Sequence, residues 1–125
     1  FLFFCLLPLT FLSSPSASRY IALLTSAPDD ADTGSTIVEP SGMNYSRITT
    51  TAASWNTASG GSVSNAAILT SPVASGDWSE IAYWALCTAA TAGEVLVWGD
   101  VTVPKTVLSG DSFSFGAGGL VITMD

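Results

Sequence analysis

From Arg19 onward, short apolar segments alternate with turns rich in Gly, Pro, Ser and Asp. The apolar segments are dominated by Val, Ile, Trp, Tyr and Phe, residue types that favour strands, and they show no helical periodicity. Many short strands at regular spacing are typical of two packed antiparallel sheets. The sequence therefore predicts an all-β fold, a single β-sandwich over residues 19–125 with seven to eight strands and Greek-key or jelly-roll-like connections.

The pattern also predicts where the strands lie. Residues 80–100 read as a hairpin around the small turn 89–93, with Trp84 and Trp98 at strand centres and therefore in the core. Pro104 favours an edge strand, and residues 26–44 form the one long loop. The predicted strands are 19–25, 45–51, 63–70, 80–88, 94–100, 101–107, 112–115 and 120–124.

The first eighteen residues form a separate unit. Residues 1–12 are almost entirely apolar, and residues 13–18 are small, as in a secretory h-region followed by a cleavage zone. The run is too short to span a membrane as a helix, and Pro8 interrupts it. A secreted bacterial β-domain is one hypothesis that follows. We favour an N-terminal arm or short helix that packs on the domain or on a neighbouring subunit.

Charge is scarce in this sequence. Only 10% of residues are charged, the net charge is −7, and the cations are Arg19, Arg47 and Lys105. Three scattered cations cannot neutralise a phosphate backbone, so we expect no nucleic-acid partner. A surface made of Ser, Thr, Asn and Gly is cheaper to bury than a charged one, which suits a subunit covered by its neighbours. This favours a structural protein in a larger assembly.

The residues needed for catalysis are few. There is no His, and the cysteines Cys5 and Cys87 are too far apart in the sequence to suggest a zinc site, so we predict neither a catalytic site nor a cofactor. A disulfide between them is possible, but buried thiols are the commoner outcome. Alternate carboxylates after Pro28 resemble part of a calcium loop, which makes Asp30 and Asp32 weak metal candidates. A solvated turn explains them more simply.

Two tryptophans keep a binding function open. Trp55 and Trp78 lie near predicted loops, and Asp77 and Glu80 flank Trp78. Aromatic rings beside carboxylates are a common feature of sugar sites, so a glycan- or receptor-binding module is the alternative hypothesis. Burial as core residues is the competing explanation.

An ordered series of short motifs runs through residues 20–125. In sequence order they are Tyr20-Ile-Ala-Leu-Leu-Thr-Ser-Ala-Pro28, Glu39-Pro-Ser-Gly42, Tyr45-Ser-Arg-Ile48, Ser64-Asn65, Trp78, Ile81-Ala-Tyr-Trp84, Thr88-Ala-Ala-Thr-Ala-Gly93, Leu96-Val-Trp-Gly99, Pro104-Lys-Thr106, Ser109-Gly-Asp111, Phe113-Ser-Phe115 and Gly119-Leu-Val-Ile-Thr-Met-Asp125. With this series the chain resembles a family of small tailed-phage and prophage virion proteins, often labelled tail-fibre-like. Residues 1–18 depart from that family, whose members usually open with a short amphipathic helix.

The resemblance implies a non-enzymatic structural protein of the bacteriophage virion. Such a protein could be a capsid decoration or cement subunit, or part of a tail or fibre. We expect it to be a homo-oligomer whose partners are the major capsid protein or tail proteins and sister copies, with no membrane partner. The arm, the long loop and the loop tryptophans are the expected interface, and the residues proposed for it are Phe1, Phe3, Phe4, Leu7, Phe11, Asp29, Asp32, Trp55 and Trp78.

Overall fold

The computed structural model describes residues 19–29, 31–51, 54–56 and 61–123. Within them the chain is built from eight strands, and the predicted all-β class is confirmed. The strands are β1 Arg19–Leu24, β2 Ile48–Thr50, β3 Ser62–Ser64, β4 Leu69–Thr70, β5 Ser79–Cys87, β6 Val95–Val107, β7 Ser114–Phe115 and β8 Val121–Thr123. In the described part of the chain, no helix is long and apolar enough to cross a membrane.

The larger layer is a four-stranded antiparallel sheet in the order β2-β1-β5-β6. The predicted hairpin, β5 and β6, is confirmed and forms one side of this sheet, with β5 inside and β6 at the edge. We expected separate strands over 94–100 and 101–107, but β6 runs through both. At the predicted boundary between the two strands, the pairing of β6 with β5 changes register: Tyr83 pairs with Asp100, whereas Ile81 pairs with Lys105. This irregularity at the sheet edge accommodates Pro104, which cannot donate a ladder hydrogen bond.

The opposing layer consists of two short ladders, β3 with β8 and β4 with β7. The continuous strand predicted over 63–70 is therefore wrong, since its two ends pair with different partners. The break falls at Asn65, whose side chain bonds backbone groups and so replaces the regular ladder. The strand predicted over 45–51 is also shorter, beginning only at Ile48, because residues 42–45 form a turn closed by Tyr45 N and Gly42 O.

The main core lies between the two layers, as expected for a sandwich. The large sheet contributes Ile21, Leu23, Trp84 and Leu86 to it, and the ladders contribute residues such as Ile122. These side chains alternate along their strands, so one face of β1 and β5 points into this core.

A second, smaller core lies on the other face of the same sheet. Leu24, Cys87 and Trp98 pack there with Ile37, which comes from the long loop. Trp84 and Trp98 are both buried, as predicted, but they face opposite sides, because Trp98 pairs with Ala85, the neighbour of Trp84. The long loop thus acts as a cover for a sheet that is apolar on both faces.

Candidate functional site

Arg47 organises the long loop. Its side chain is 3% exposed, and its Nη2 lies 2.7 Å from Oε1 of Glu39 while Nε donates to Oε2 at 3.0 Å. The rest of the guanidinium donates to three carbonyl oxygens, those of Ala89 at 2.8 Å, Ala92 at 2.9 Å and Gly34 at 2.7 Å. The loop carbonyl of Gly34 and the hairpin carbonyls of Ala89 and Ala92 are therefore joined through one planar cation.

Tyr45 completes this cluster from the other side of Glu39. Its hydroxyl donates to Oε2 of Glu39 at 2.5 Å and accepts from the backbone N of Leu23 at 3.0 Å. The ring packs edge-on against Trp78, with centroids 5.2 Å apart. We call Glu39, Tyr45 and Arg47 the loop clasp, because together they tie the long loop to β1 and to the β5–β6 turn.

Burial and the Glu39 carboxylate together determine the protonation states of Tyr45 and Arg47. Burial, and then the Glu39 carboxylate, raise the pKa of Tyr45, so the phenol keeps its proton and donates it. Burial works to lower the pKa of Arg47, but the hydrogen bond to Glu39 and neighbouring charges outweigh it, and that pKa is raised overall. The clasp is thus an ion pair beside a neutral phenol.

A close backbone approach explains the small residues on both sides of the clasp. Gly34 N donates to Gly93 O at 3.0 Å. A Cβ placed on Gly34 would lie 1.9 Å from the carbonyl oxygen of Ala92, a backbone atom that cannot move aside cheaply. Gly93 has a φ of 75°, a left-handed conformation that glycine adopts without strain. The contact between loop and hairpin therefore requires glycine at these positions.

Asn65 forms a second buried polar junction, at the opposing layer. Its side chain is fully buried, and its Nδ2 donates to the carbonyls of Ala67 and Gly116, each at 2.8 Å. Its Oδ1 accepts from Leu120 N at 2.9 Å. Asn65 therefore fixes the turn between β7 and β8.

The two tryptophans proposed as interface residues lie inside the fold. Trp55 is 5% exposed and donates its indole N–H to Thr50 Oγ1, and Trp78 is 2% exposed and donates to Met43 O. In this conformation neither ring offers a flat surface to a sugar. Asp77, beside Trp78, accepts from Ser79 N in a local turn. Core packing and turn formation account for the features that suggested glycan binding.

The acidic residues of the long loop also have local partners. Oδ2 of Asp32 accepts from Asp29 N at 2.8 Å, and Oδ1 accepts from the Thr36 hydroxyl at 2.8 Å. These two hydrogen bonds, with Asp29 first, lower the pKa of Asp32. Within the described residues, no three His, Cys, Asp or Glu side chains gather to hold a metal. Asp30 lies outside the described residues, as do the proposed interface residues Phe1, Phe3, Phe4, Leu7 and Phe11.

A recess of about 310 Å³ lies beside the clasp, lined by residues that include Ser46 and Thr91. Arg47 and Glu39 are already saturated by the contacts described above. Within the described residues, which do not include Cys5, the buried thiol of Cys87 has no disulfide partner, and burial is the main cause that raises its pKa to about 11, which keeps it protonated and unreactive. What the clasp can do is hold the loop in place.

The three residues of the loop clasp are visible in the sequence, but their mutual contact is not. Tyr45 and Arg47 belong to one motif of the ordered series and Glu39 to another, and no local pattern joins the two motifs. The signal that could have joined them is an Arg, one of two in a charge-poor chain, with a Glu eight residues before it, since a buried cation needs a carboxylate.

The clasp predicts a specific dependence of stability on alkaline pH. The pKa of Tyr45 is raised above the unfolded value of 10.0, so its contribution is complete below pH 10.0 and is lost as the pH rises further. We expect the free energy of unfolding to fall above that pH by up to about 1.4 kcal/mol per pH unit from this group. Urea unfolding at a series of pH values measures this slope.

Tyr45→Phe should remove that part of the slope and lower stability at neutral pH by about 1–2 kcal/mol through the lost hydrogen bonds. Tyr20→Phe, which leaves the Tyr45–Glu39 contact intact, is the matched control and should retain the wild-type slope. Equal slopes in the wild type and Tyr45→Phe would contradict the account.

Within the described residues, the buried side chains of Arg47 and Asn65 fasten loops of this small β-sandwich to its strands and turns. The model of the family described as podophage GP4 fiber I protein gp80 matches residues 9–123. The chain therefore belongs to this family of phage fibre proteins. No curated protein matches the sequence.

The family match confirms the resemblance drawn from the ordered motifs. It begins at residue 9, within the segment that we had set apart from the family as an arm. A virion-associated, fibre-related structural role follows from membership.

Proposed function

We propose that this chain is a non-enzymatic subunit of the phage tail fibre that works through contacts with sister copies and neighbouring tail proteins. The observation that carries the proposal is the family match over residues 9–123, which concerns a fibre protein. A fibre position is favoured over capsid decoration or cementing by that description alone.

The fold supports a role in contact-making. Three loops at one end of the sandwich are joined by short backbone hydrogen bonds, such as Ser75 N to Met43 O at 3.0 Å and Gly110 N to Ala74 O at 2.8 Å. Three apolar side chains stand out from these rigid loops, Met43, Val73 and Leu108, each about half exposed. Because the backbone of these loops is already tied down by hydrogen bonds, docking there costs little further backbone entropy, so this end suits a partner protein.

The long loop supports the same role. The clasp holds it rigidly, while the side chain of Asp29 stays exposed. Asp29 and Asp32 remain our proposed contact residues on this loop. The apolar residues Phe1, Phe3, Phe4, Leu7 and Phe11 remain proposed contacts of the N-terminal segment.

Incorporation into particles tests this proposal. We expect mass spectrometry of purified phage to find the full chain among fibre and tail components, and a chain lacking residues 1–18 to fall at least about tenfold in copy number. A variant with Ser41→Ala, an exposed loop position, is the control and should be incorporated normally. Absence of the full chain from purified particles would overturn the virion role, and normal incorporation of the shortened chain would overturn the role of the arm.

A further inference from the structure

An open groove of about 740 Å³ runs along one side of the sandwich, between β6 and the strands β7 and β8. Its apolar lining consists of Trp84, Val101, Val103, Phe113, Phe115, Leu120 and Val121. Val103 is 75% exposed and Val121 is 47% exposed, so apolar surface remains uncovered at the mouth of the groove. Uncovered apolar surface of this kind marks a contact site.

The groove is also where strand edges are open. In the described part of the chain, β6 pairs only with β5, β7 only with β4 and β8 only with β3. The groove therefore has an edge strand along each wall. Proteins usually cover or protect such edges, because they recruit other chains.

The chemistry of the groove matches the N-terminal segment of this sequence. Among the described residues that line the groove, Asp100 is the one that is charged, and residues 1–18 of the sequence contain no charged residue. Residues 1–12 carry large apolar side chains that are unfavourable in water. An apolar groove and an uncharged apolar segment are thus complementary within one sequence.

Chain geometry indicates which copy supplies the segment. Leu24 and Asp100 lie level in the sheet, since both pair with Tyr83, and Arg19 lies five residues back along β1. Five residues along β1 and the two strand spacings from β1 over β5 to β6 together give a straight-line distance of about 20 Å between Arg19 and Asp100 at the near end of the groove. Residue 12 and Arg19 are seven Cα–Cα steps apart, a span of about 24 Å when fully extended. The straight path runs through the sheet and any route around the sheet is longer, which favours a neighbouring copy as the source of the segment.

We propose that the groove between β6 and β7–β8 receives the apolar segment 1–12 of a neighbouring copy of this chain. This inference rests on the proposed function, because it supplies the contact through which fibre subunits would assemble. The neighbour's apolar side chains cover Val103 and Val121, and the groove in turn removes those side chains from water.

Disulfide trapping between two differently tagged full-length chains tests the proposal. The donor carries Cys87→Ser and so keeps Cys5 as its only thiol. The acceptor carries Cys5→Ser, Cys87→Ser and Val103→Cys. We expect oxidation of the mixture to yield a mixed-tag covalent dimer at least about tenfold more abundant than with a control acceptor, in which Ile68→Cys replaces Val103→Cys at another exposed aliphatic residue. Equal yields from the two acceptors would overturn the proposal.

A second pair of variants keeps the test decisive if the serine substitutions weaken the fold. A Cβ at Gly116 meets no atom within 4 Å, so Gly116→Phe can fill the groove without distorting the backbone. In light scattering, we expect the Gly116→Phe variant to have a lower molar mass than the wild type, close to that of the monomer. Ser41→Phe, in an exposed loop, should have the same molar mass as the wild type. Unchanged assembly of Gly116→Phe would overturn the groove proposal while leaving the incorporation test intact.

Discussion

Replacing Arg47 with Met is expected to lower the free energy of unfolding by about 3–5 kcal/mol, the usual loss when one partner of a buried ion pair is removed. Met fills most of the space of the Arg side chain but makes none of its hydrogen bonds. The Glu39 carboxylate loses its cation, and the carbonyls of Gly34, Ala89 and Ala92 lose their shared donor. Urea unfolding followed by tryptophan fluorescence measures the change.

Lys105→Met is the matched control, because Lys105 is an exposed cation that donates to Ser112 O. Its loss should stay below about 1 kcal/mol. A double-mutant cycle with Glu39→Gln isolates the pair, and we expect a coupling energy of about 2 kcal/mol or more. A loss from Arg47→Met no larger than that from Lys105→Met would mean that the clasp does not stabilise the fold.

Asn65→Asp should be at least as damaging, with a loss of about 3–5 kcal/mol at neutral pH. The substitution turns the amide nitrogen into a carboxylate oxygen that faces the carbonyls of Ala67 and Gly116. A buried negative charge then meets acceptors instead of donating to them. The loss should be smaller in acid, because a protonated carboxyl can donate to one of the two carbonyls. Thermal and urea unfolding in both conditions test this.

Asn56→Asp provides the comparison at an exposed position, where Nδ2 donates to Ser64 Oγ at 3.1 Å. We expect a change within about 0.5 kcal/mol there. Similar losses at the two positions would show that the buried amide is not a fixed junction of the β7–β8 turn.

Short-range patterns were enough to predict much of the fold. Segments of strand-favouring apolar residues between turn residues located β1, the β5–β6 hairpin and the all-β class, because strands and tight turns depend on neighbouring residues. Predictions failed where a distant contact overrides the local pattern. Residues 63–70 look like one strand, yet Asn65 divides them by bonding atoms more than fifty positions away.

The candidate site was less predictable than the fold. Nothing local in the sequence distinguishes Glu39, Tyr45 and Arg47 from other loop residues. Their role depends on the contact of Arg47 with carbonyls of the hairpin turn, forty-two and forty-five positions along the chain. The burial of Trp55 and Trp78 could not be predicted either, because a side chain near a predicted loop can lie in the core or on the surface. Such contacts depend on how the loops close over the sheet.

By itself, the sequence determined the β-sandwich class, the scarcity of charge and the family of phage fibre proteins, because these follow from composition, local periodicity and an ordered series of motifs. The tertiary structure alone decided that the long loop is a cover held by a buried ion pair, and that a groove stays open beside β6. The physical reason is that hydrogen-bond partners and buried surface are properties of pairs of residues far apart in the chain, and only folding brings them together.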